Sequence, residues 1–282
     1  MNISNPSRSR TTDVAQPLNL PASIEAALQL ADVSWHAILR DALQALQVAA
    51  PEYLPELAQD SYLPTEGRLF AAFSRPLATT RYILVGEGPY PRAASATGVC
   101  FMDGAVGSLW SDEVGGGLSK AVNRATSLRN WMKMLMVASG KLPADGVTPA
   151  RIAAIAAQAH APDSPITQSL PQFQAKLEQQ GFLLVNASLV FRPHVAPVKE
   201  AKPWQVFFLH VLASMQQEMR AQGLALPTLV LWGKIAAQLQ QFAVLEQFPQ
   251  ICAEHPYNLS FIHNQEMQAF FAPMDLLGLT TA

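Results

Sequence analysis

Four short apolar runs govern what this 282-residue chain can fold into. Tyr82-Ile83-Leu84-Val85 stops at Gly86, and Phe182-Leu183-Leu184-Val185 follows Gly181 and stops at Asn186. Leu229-Val230-Leu231-Trp232 stops at Gly233, and the shorter Gln250-Ile251-Cys252-Ala253 ends near His255. A run without polar alternation is what a strand covered on both faces requires. Between the runs, apolar residues recur at helical spacing over about 117–139, 166–179, 204–222 and 234–242. Strands that alternate with helices imply parallel pairing, because a parallel neighbour needs a crossover long enough to hold a helix. The expected fold class is therefore α/β: a three-layer α/β/α sandwich around a central, mainly parallel four-stranded sheet. In such folds the chemistry collects beyond the carboxyl ends of the strands. The most distinctive polar segments of this chain fall at those ends.

The rest of the chain reads as support for that sheet. Residues 1 to about 20 are rich in Ser, Thr, Asn and Pro and read as a disordered segment, with 21–282 as a single domain. Apolar spacing from Ile24 to Val48 predicts two helices, with Ser34 as N-cap of the second. Pro51 to Pro64 reads as a connector and Glu66 to Phe73 as a short helix. The Gly115-Gly116-Gly117 triplet lacks the Gly-Lys-Ser/Thr ending of a phosphate loop.

Composition removes several functional classes. Half the residues are apolar and 14% are charged, which excludes a largely disordered chain. A net charge of −2 counts against retention on nucleic acid by global charge. Ten basic against five acidic residues between Arg68 and Arg151 allow a local basic face, and scattered surface charge is the equal alternative. Cys100 and Cys252 alone make neither a disulfide framework nor a cysteine metal site, which needs about four ligands. No apolar stretch reaches the roughly 18–20 residues of a membrane helix. No apolar segment follows Arg8 and Arg10 as an export signal requires, so the chain reads as cytoplasmic.

Four segments, in fixed order, carry the chemistry. They are Gly86-Glu87-Gly88-Pro89-Tyr90-Pro91, Gly98-Val99-Cys100-Phe101, Leu183-Leu184-Val185-Asn186 and His255-Pro256-Tyr257-Asn258-Leu259. The Asn186 amide offers a donor and an acceptor in one plane, complementary to the N3–H and O4 of a pyrimidine. An Asn that closes a strand is also ordinary turn chemistry. The Phe101 ring can stack a base, and among thirteen Phe residues core packing is its alternative. A neutral His255 can donate one hydrogen bond, and His194, His210 and His263 have equal standing by composition.

In this order the segments resemble the active-site motifs of uracil-DNA glycosylases, closest to the family 1 branch typified by the bacterial and human enzymes. The resemblance runs from about Ser34 to Leu277. Ser34-Trp35-His36, Leu69-Phe70-Ala71-Ala72-Phe73, Trp232-Gly233 and Phe270-Phe271 extend it. It implies a monomeric enzyme that uses no cofactor and no metal. Its partner is DNA containing uracil or a modified base, and it hydrolyses the N-glycosidic bond of a flipped nucleotide. By resemblance, Asn186 reads the base, Phe101 stacks it, Tyr90 fills the space a C5 methyl would need, and His255 donates to O2 of the departing base. The family's His-Pro-Ser-Pro-Leu-Ser is matched at His255, Pro256, Leu259 and Ser260. Leu259 inherits the role of entering the duplex, with Ser260 beside it and Tyr257 able to stack on DNA.

One expected residue is missing. The family's first motif reads Gly-Gln-Asp-Pro-Tyr-His, and its Asp orients the attacking water. Gly88 stands in that place, Pro91 replaces the His, and Glu87 replaces the Gln, as in the iron–sulfur branches. Glu87 is the first candidate for the missing carboxylate, although neighbouring side chains of extended chain point apart. Asp103 is the second. Three alternatives stay open: a glycosylase for a different modified base, a catalytically inactive DNA binder that retains the pocket, and an unrelated nucleotide-binding protein. The lack of a Gly-x-Gly-x-x-Gly pattern counts against the last.

Overall fold

A computed structural model describes residues 20–280. The expected disordered segment before residue 20 lies outside the described residues. Helices α1 (Ala22–Ala27), α2 (His36–Ala49) and α3 (Tyr53–Gln59) precede strand β1 (Tyr82–Gly86). Helices α4 (Lys120–Arg124), α5 (Thr126–Ala138), α6 (Pro149–Ala159) and α7 (Leu170–Gln179) lead to β2 (Phe182–Asn186). Helix α8 (Pro197–Ala221), β3 (Thr228–Trp232), α9 (Lys234–Leu239), β4 (Gln250–Ala253) and α10 (Gln265–Phe271) complete the order.

The four strands form one sheet in the order β2-β1-β3-β4, and every pairing is parallel. The sheet is thus wholly rather than mainly parallel. Successive residues of each central strand serve opposite layers. Ile83 and Val85, Leu183 and Val185, and Leu229 and Leu231 pack into one core with α1, α2, α3 and α8. Leu84, Leu184, Val230 and Trp232 pack into the other with α5, α6, α7 and α10. This double burial explains why the runs show no polar alternation. Each fully buried Leu, Val or Ile contributes on the order of 1.5–3 kcal/mol against exposure.

Several helices depart from the sequence reading for identifiable reasons. Ser34 does not cap α2. It lies in a 3-10 turn, Val33–Trp35, where the Asp32 carboxylate accepts from the Ser34 N–H at 3.0 Å. The Ser34 hydroxyl instead accepts from the Leu77 N–H at 2.9 Å, tying this turn to the chain entering β1. The expected Pro51–Pro64 connector contains α3, whose Pro55 falls in the first turn, where no intrahelical N–H is needed. The pattern over 117–139 breaks at Ala125 (φ −84°, ψ 79°), so α5 starts afresh at Thr126. Helix α6 was not expected, although Thr148-Pro149 is an N-cap followed by proline at the first helical position. Helix α8 begins two turns before the expected start and runs through the buried Pro203. Its N-terminal turns are held by Glu200, which is buried and bonded to Arg192 at 2.8 Å. Among the described residues no helix is long and apolar enough to cross a membrane.

Candidate active site

The carboxyl ends of β1 and β2 lie side by side, with Gly86 in register with Asn186. Beyond them opens a cavity of about 190 Å³, whose lining includes Gly86, Glu87, Gly88, Tyr90, Phe101, Ser127, Asn186 and His255. Six of the nine residues singled out from sequence therefore meet in one small cavity. The other three, Tyr257, Leu259 and Ser260, do not line it. They are exposed on the loop that leaves His255, with Tyr257 and Leu259 at 68% and 65%.

Gly86 has a steric reason to be glycine. A Cβ there would stand 2.5 Å from Asn186 Oδ1 and 2.7 Å from Cys100 Cβ. Asn186 is 4% exposed, and its side-chain amide bonds no protein group among the described residues but is not one of the fully enclosed polar atoms, so it opens onto the cavity. An amide that faces a cavity is satisfied there by water or by a ligand. Gly88 is exposed and in ordinary backbone geometry. A Cβ there would meet only Ser188, its carbonyl oxygen at 3.7 Å and its Cβ at 3.9 Å, so a Cβ is accommodated in ordinary contact.

The Gly98–Phe101 segment is fastened to the sheet. The Cys100 N–H donates to the Leu184 carbonyl at 3.2 Å, and its thiol to the Leu84 carbonyl at 3.3 Å. Gly98 has φ +83° with the Arg68 carbonyl against it, where a Cβ would come within 2.2 Å. Phe101 itself has φ +61°, a left-handed conformation that costs a bulky residue about 1–3 kcal/mol. This strain turns the half-buried ring toward Trp232, at 5.2 Å and 68°, and toward the His255 imidazole, at 5.8 Å and 38°. Trp131 packs edge-on behind it at 6.1 Å and 76°.

His255 is held from both sides. Gly233 adopts φ +66°, and a Cβ there would stand 2.7 Å from His255 Cβ. The Tyr257 N–H donates to His255 Nδ1 at 3.0 Å. Nδ1 is thus the acceptor, and the neutral ring carries its proton on Nε2. Burial holds the imidazole pKa below its ordinary value, and the Glu87 carboxylate opposes this in part. Burial, with help from the charge of Asp103, pushes the Tyr90 phenol up to about 12. Asp103 does not line the cavity. It is buried against Arg92 at 3.4 Å and accepts from the Ala105 N–H at 2.9 Å, so of the two candidate carboxylates only Glu87 faces the cavity.

Two polar residues near the cavity escaped sequence reasoning. Ser127 lines it because α5 restarts at Thr126, and the readable signal was a Thr-Ser pair inside an otherwise helical pattern. Thr97 shapes the turn before Phe101, its hydroxyl donating to the Met102 carbonyl at 2.9 Å. A larger cavity, about 580 Å³, lies across the Glu87–Pro89 wall. It has a largely apolar floor that includes Phe191, Phe208, Ile235 and Leu239, and the buried Arg192 and Glu200 on its wall already satisfy each other. The smaller cavity is the one that brings together the Asn186 amide, the Phe101 ring and the His255 imidazole. Among the described residues no group of three or more His, Cys, Asp or Glu converges as a metal site would require.

This arrangement can hold a planar heterocycle between an aromatic face and an amide edge while donating a proton-bearing nitrogen to it. No family model matches the chain. The wild-type UNG of Nitratifractor salsuginis shares 35% identity and superimposes with a TM-score of 0.80, over 92% of this chain and 99% of that one. The uracil-DNA glycosylase of Corynebacterium glutamicum is 29% identical over 234 residues, 80% of each chain. The mimivirus uracil-DNA glycosylase, at 15% identity and a TM-score of 0.51 over 85% of this chain and 76% of that one, shares the fold. With a solved relative above 30% identity matched over nearly its whole length, the chain belongs to the uracil-DNA glycosylase superfamily.

Proposed function

We propose that this protein, acting as a monomer of the family 1 kind, excises uracil or a closely related modified pyrimidine from DNA. The observation that carries this reading is the Asn186 amide, free of protein partners among the described residues and open to a small cavity that it shares with Phe101 and His255. A flipped pyrimidine satisfies that amide through N3–H and O4 while its face stacks on Phe101. Tyr90, its phenol kept protonated at neutral pH, narrows the cavity against a C5 substituent.

The reaction breaks the C1′–N bond, and the electron pair leaves with the base. Negative charge develops on O2, where the Nε2–H of neutral His255 donates a hydrogen bond. Water adds its oxygen to C1′, and its proton ends on the departed base. Glu87 is the carboxylate in reach to orient that water, because it faces the cavity and acts electrostatically on His255. Leu259 and Tyr257, with Ser260, meet the duplex from the exposed loop and fill the space the flipped base leaves.

The test is excision from single- and double-stranded oligonucleotides carrying one uracil, read as alkali-labile abasic sites. Wild-type protein is expected to generate them and Asn186→Ala to abolish them. His255→Ala should lower the rate by roughly 10²–10³. Intact DNA with wild-type protein would sink uracil as the substrate. One observation favours a second reading, a binder that retains the pocket without the chemistry: Gly88 supplies no carboxylate. A Cβ there meets nothing closer than 3.7 Å, so the test is direct: activity that appears only in Gly88→Asp would identify the wild-type chain as that binder.

A further inference from the structure

The loop that follows His255 has few anchors of its own. Pro256 is buried, but Tyr257, Asn258, Leu259 and Ser260 are all exposed. Its internal bonds, Tyr257 N–H to His255 Nδ1 and Asn258 N–H to the His255 carbonyl, fix a turn but not where that turn sits on the molecule. That placement comes from α5, on which the following 3-10 turn, Leu259–His263, packs through the buried Phe261 while Asn130 holds the exposed stretch before it. The Asn130 side chain, 0% exposed, directs Nδ2 at three successive carbonyls: Pro256 at 2.8 Å, Tyr257 at 3.2 Å and Asn258 at 3.5 Å. With two hydrogens it serves the first two well and the third only marginally. Three acceptors on one side leave a single orientation for the amide, and its Oδ1 accepts from Arg129 Nε at 3.3 Å. Among the described residues the only other side chain from outside the segment that bonds Pro256–Ser260 is that of its neighbour His255, whose Nδ1 accepts from the Tyr257 N–H.

Asn130 lies three residues after Ser127, so both share one face of α5. Ser127 lines the base cavity and Asn130 grips the loop. One rigid helix thereby sets the distance between the cavity and the exposed Leu259.

We propose that Asn130 is a positioning residue that holds the Pro256–Leu259 loop at the reach duplex DNA requires. This rests on the base-excision reading above. In single-stranded DNA a flipped base leaves no stacked gap to fill, so the loop matters less there. Loss of the Asn130 bonds should therefore fall on duplex substrate.

The experiment compares kcat/KM on single- and double-stranded uracil oligonucleotides for wild type, Leu259→Ala, Asn130→Ala, Asn130→Ser and the Asn130→Ala/Leu259→Ala double variant. Thermal unfolding would be recorded for each. Asn130→Ala is expected to lower duplex activity about tenfold, the scale of one or two lost hydrogen bonds, and to leave single-stranded activity within about threefold. On the Leu259→Ala background the further duplex loss should disappear. Equal losses on both substrates, or losses that multiply with those of Leu259→Ala, would overturn the proposal. Asn130→Ser makes the same comparison if the alanine variant does not fold. Leu259 is exposed, so its alanine variant is safe to fold, and an unchanged duplex preference there would overturn the proposal by itself. Wild-type protein that excises uracil from neither substrate would instead remove the reading beneath it.

Discussion

At the scale of single residues, the candidate site is built from groups whose protonation is set by position. His255 is the sharpest case. Its Nδ1 accepts from the Tyr257 N–H, and burial favours the uncharged ring more than Glu87 favours the charged one. The folded pKa is therefore below the unfolded value of about 6.5. The stability gained by keeping the ring neutral is complete above that value and is lost as pH falls from it through the folded pKa. Excision should follow the same neutral form. The acid limb of kcat/KM is expected to fall below pH 6.5, coincident with the His255 titration followed by imidazole NMR. A limb at or above about 6.5 would contradict the assignment of the neutral donor. Phe101 shows the complementary principle. Its left-handed backbone is a local cost, retained where the ring must face both Trp232 and the imidazole.

At the scale of elements, strands were legible from sequence and helix boundaries were not. The runs at Tyr82, Phe182, Leu229 and Gln250 announced themselves because both faces of the sheet are covered, and each strand falls within a residue or so of its run. The helices depend on contacts that sequence spacing does not carry. Ala125 breaks one pattern, and Pro203 sits inside a helix that local rules would start after it. That helix begins early because Glu200 is buried against Arg192, which Asp60 also bonds at 3.2 Å, while the Tyr53 hydroxyl donates to Glu200. The cluster fastens α3, α8 and the connection that follows Asn186. Glu200→Ala should destabilise the protein by about 3 kcal/mol, because the buried guanidinium loses both of its bonds to Glu200 and keeps only the one to Asp60. Replacing both partners, Arg192→Met with Glu200→Leu, should cost clearly less. Urea unfolding midpoints would decide it, and a double variant as unstable as the single one would show that the pair stabilises outright. The site was more legible than the helices: six predicted residues meet in one cavity, because the strand ends that carry them are fixed by the sheet. Ser127, Thr97 and Asn130 were hidden, since each depends on a turn or a cross-chain contact rather than on its neighbours in sequence.

At the scale of the molecule, the cavity joins two structures of different kinds. One wall is the sheet itself, where Gly86 and Asn186 are register partners and the Ala187 N–H donates to the Gly86 carbonyl at 2.8 Å. The other wall includes His255, which leads into an exposed loop beyond the cavity, tied back by that histidine, by Asn130 and by the buried Phe261 and Ile262 that follow it. The two walls should therefore keep different time. In native-state hydrogen exchange the Ala187 and Cys100 amides are expected to exchange only when the whole fold opens, and those of Tyr257 and Leu259 to exchange orders of magnitude faster by local opening. Uniform protection across both walls would contradict this. If the chain excises bases as proposed, a slow wall beside a fast one would let it sample many bases while the criterion by which it judges them stays still.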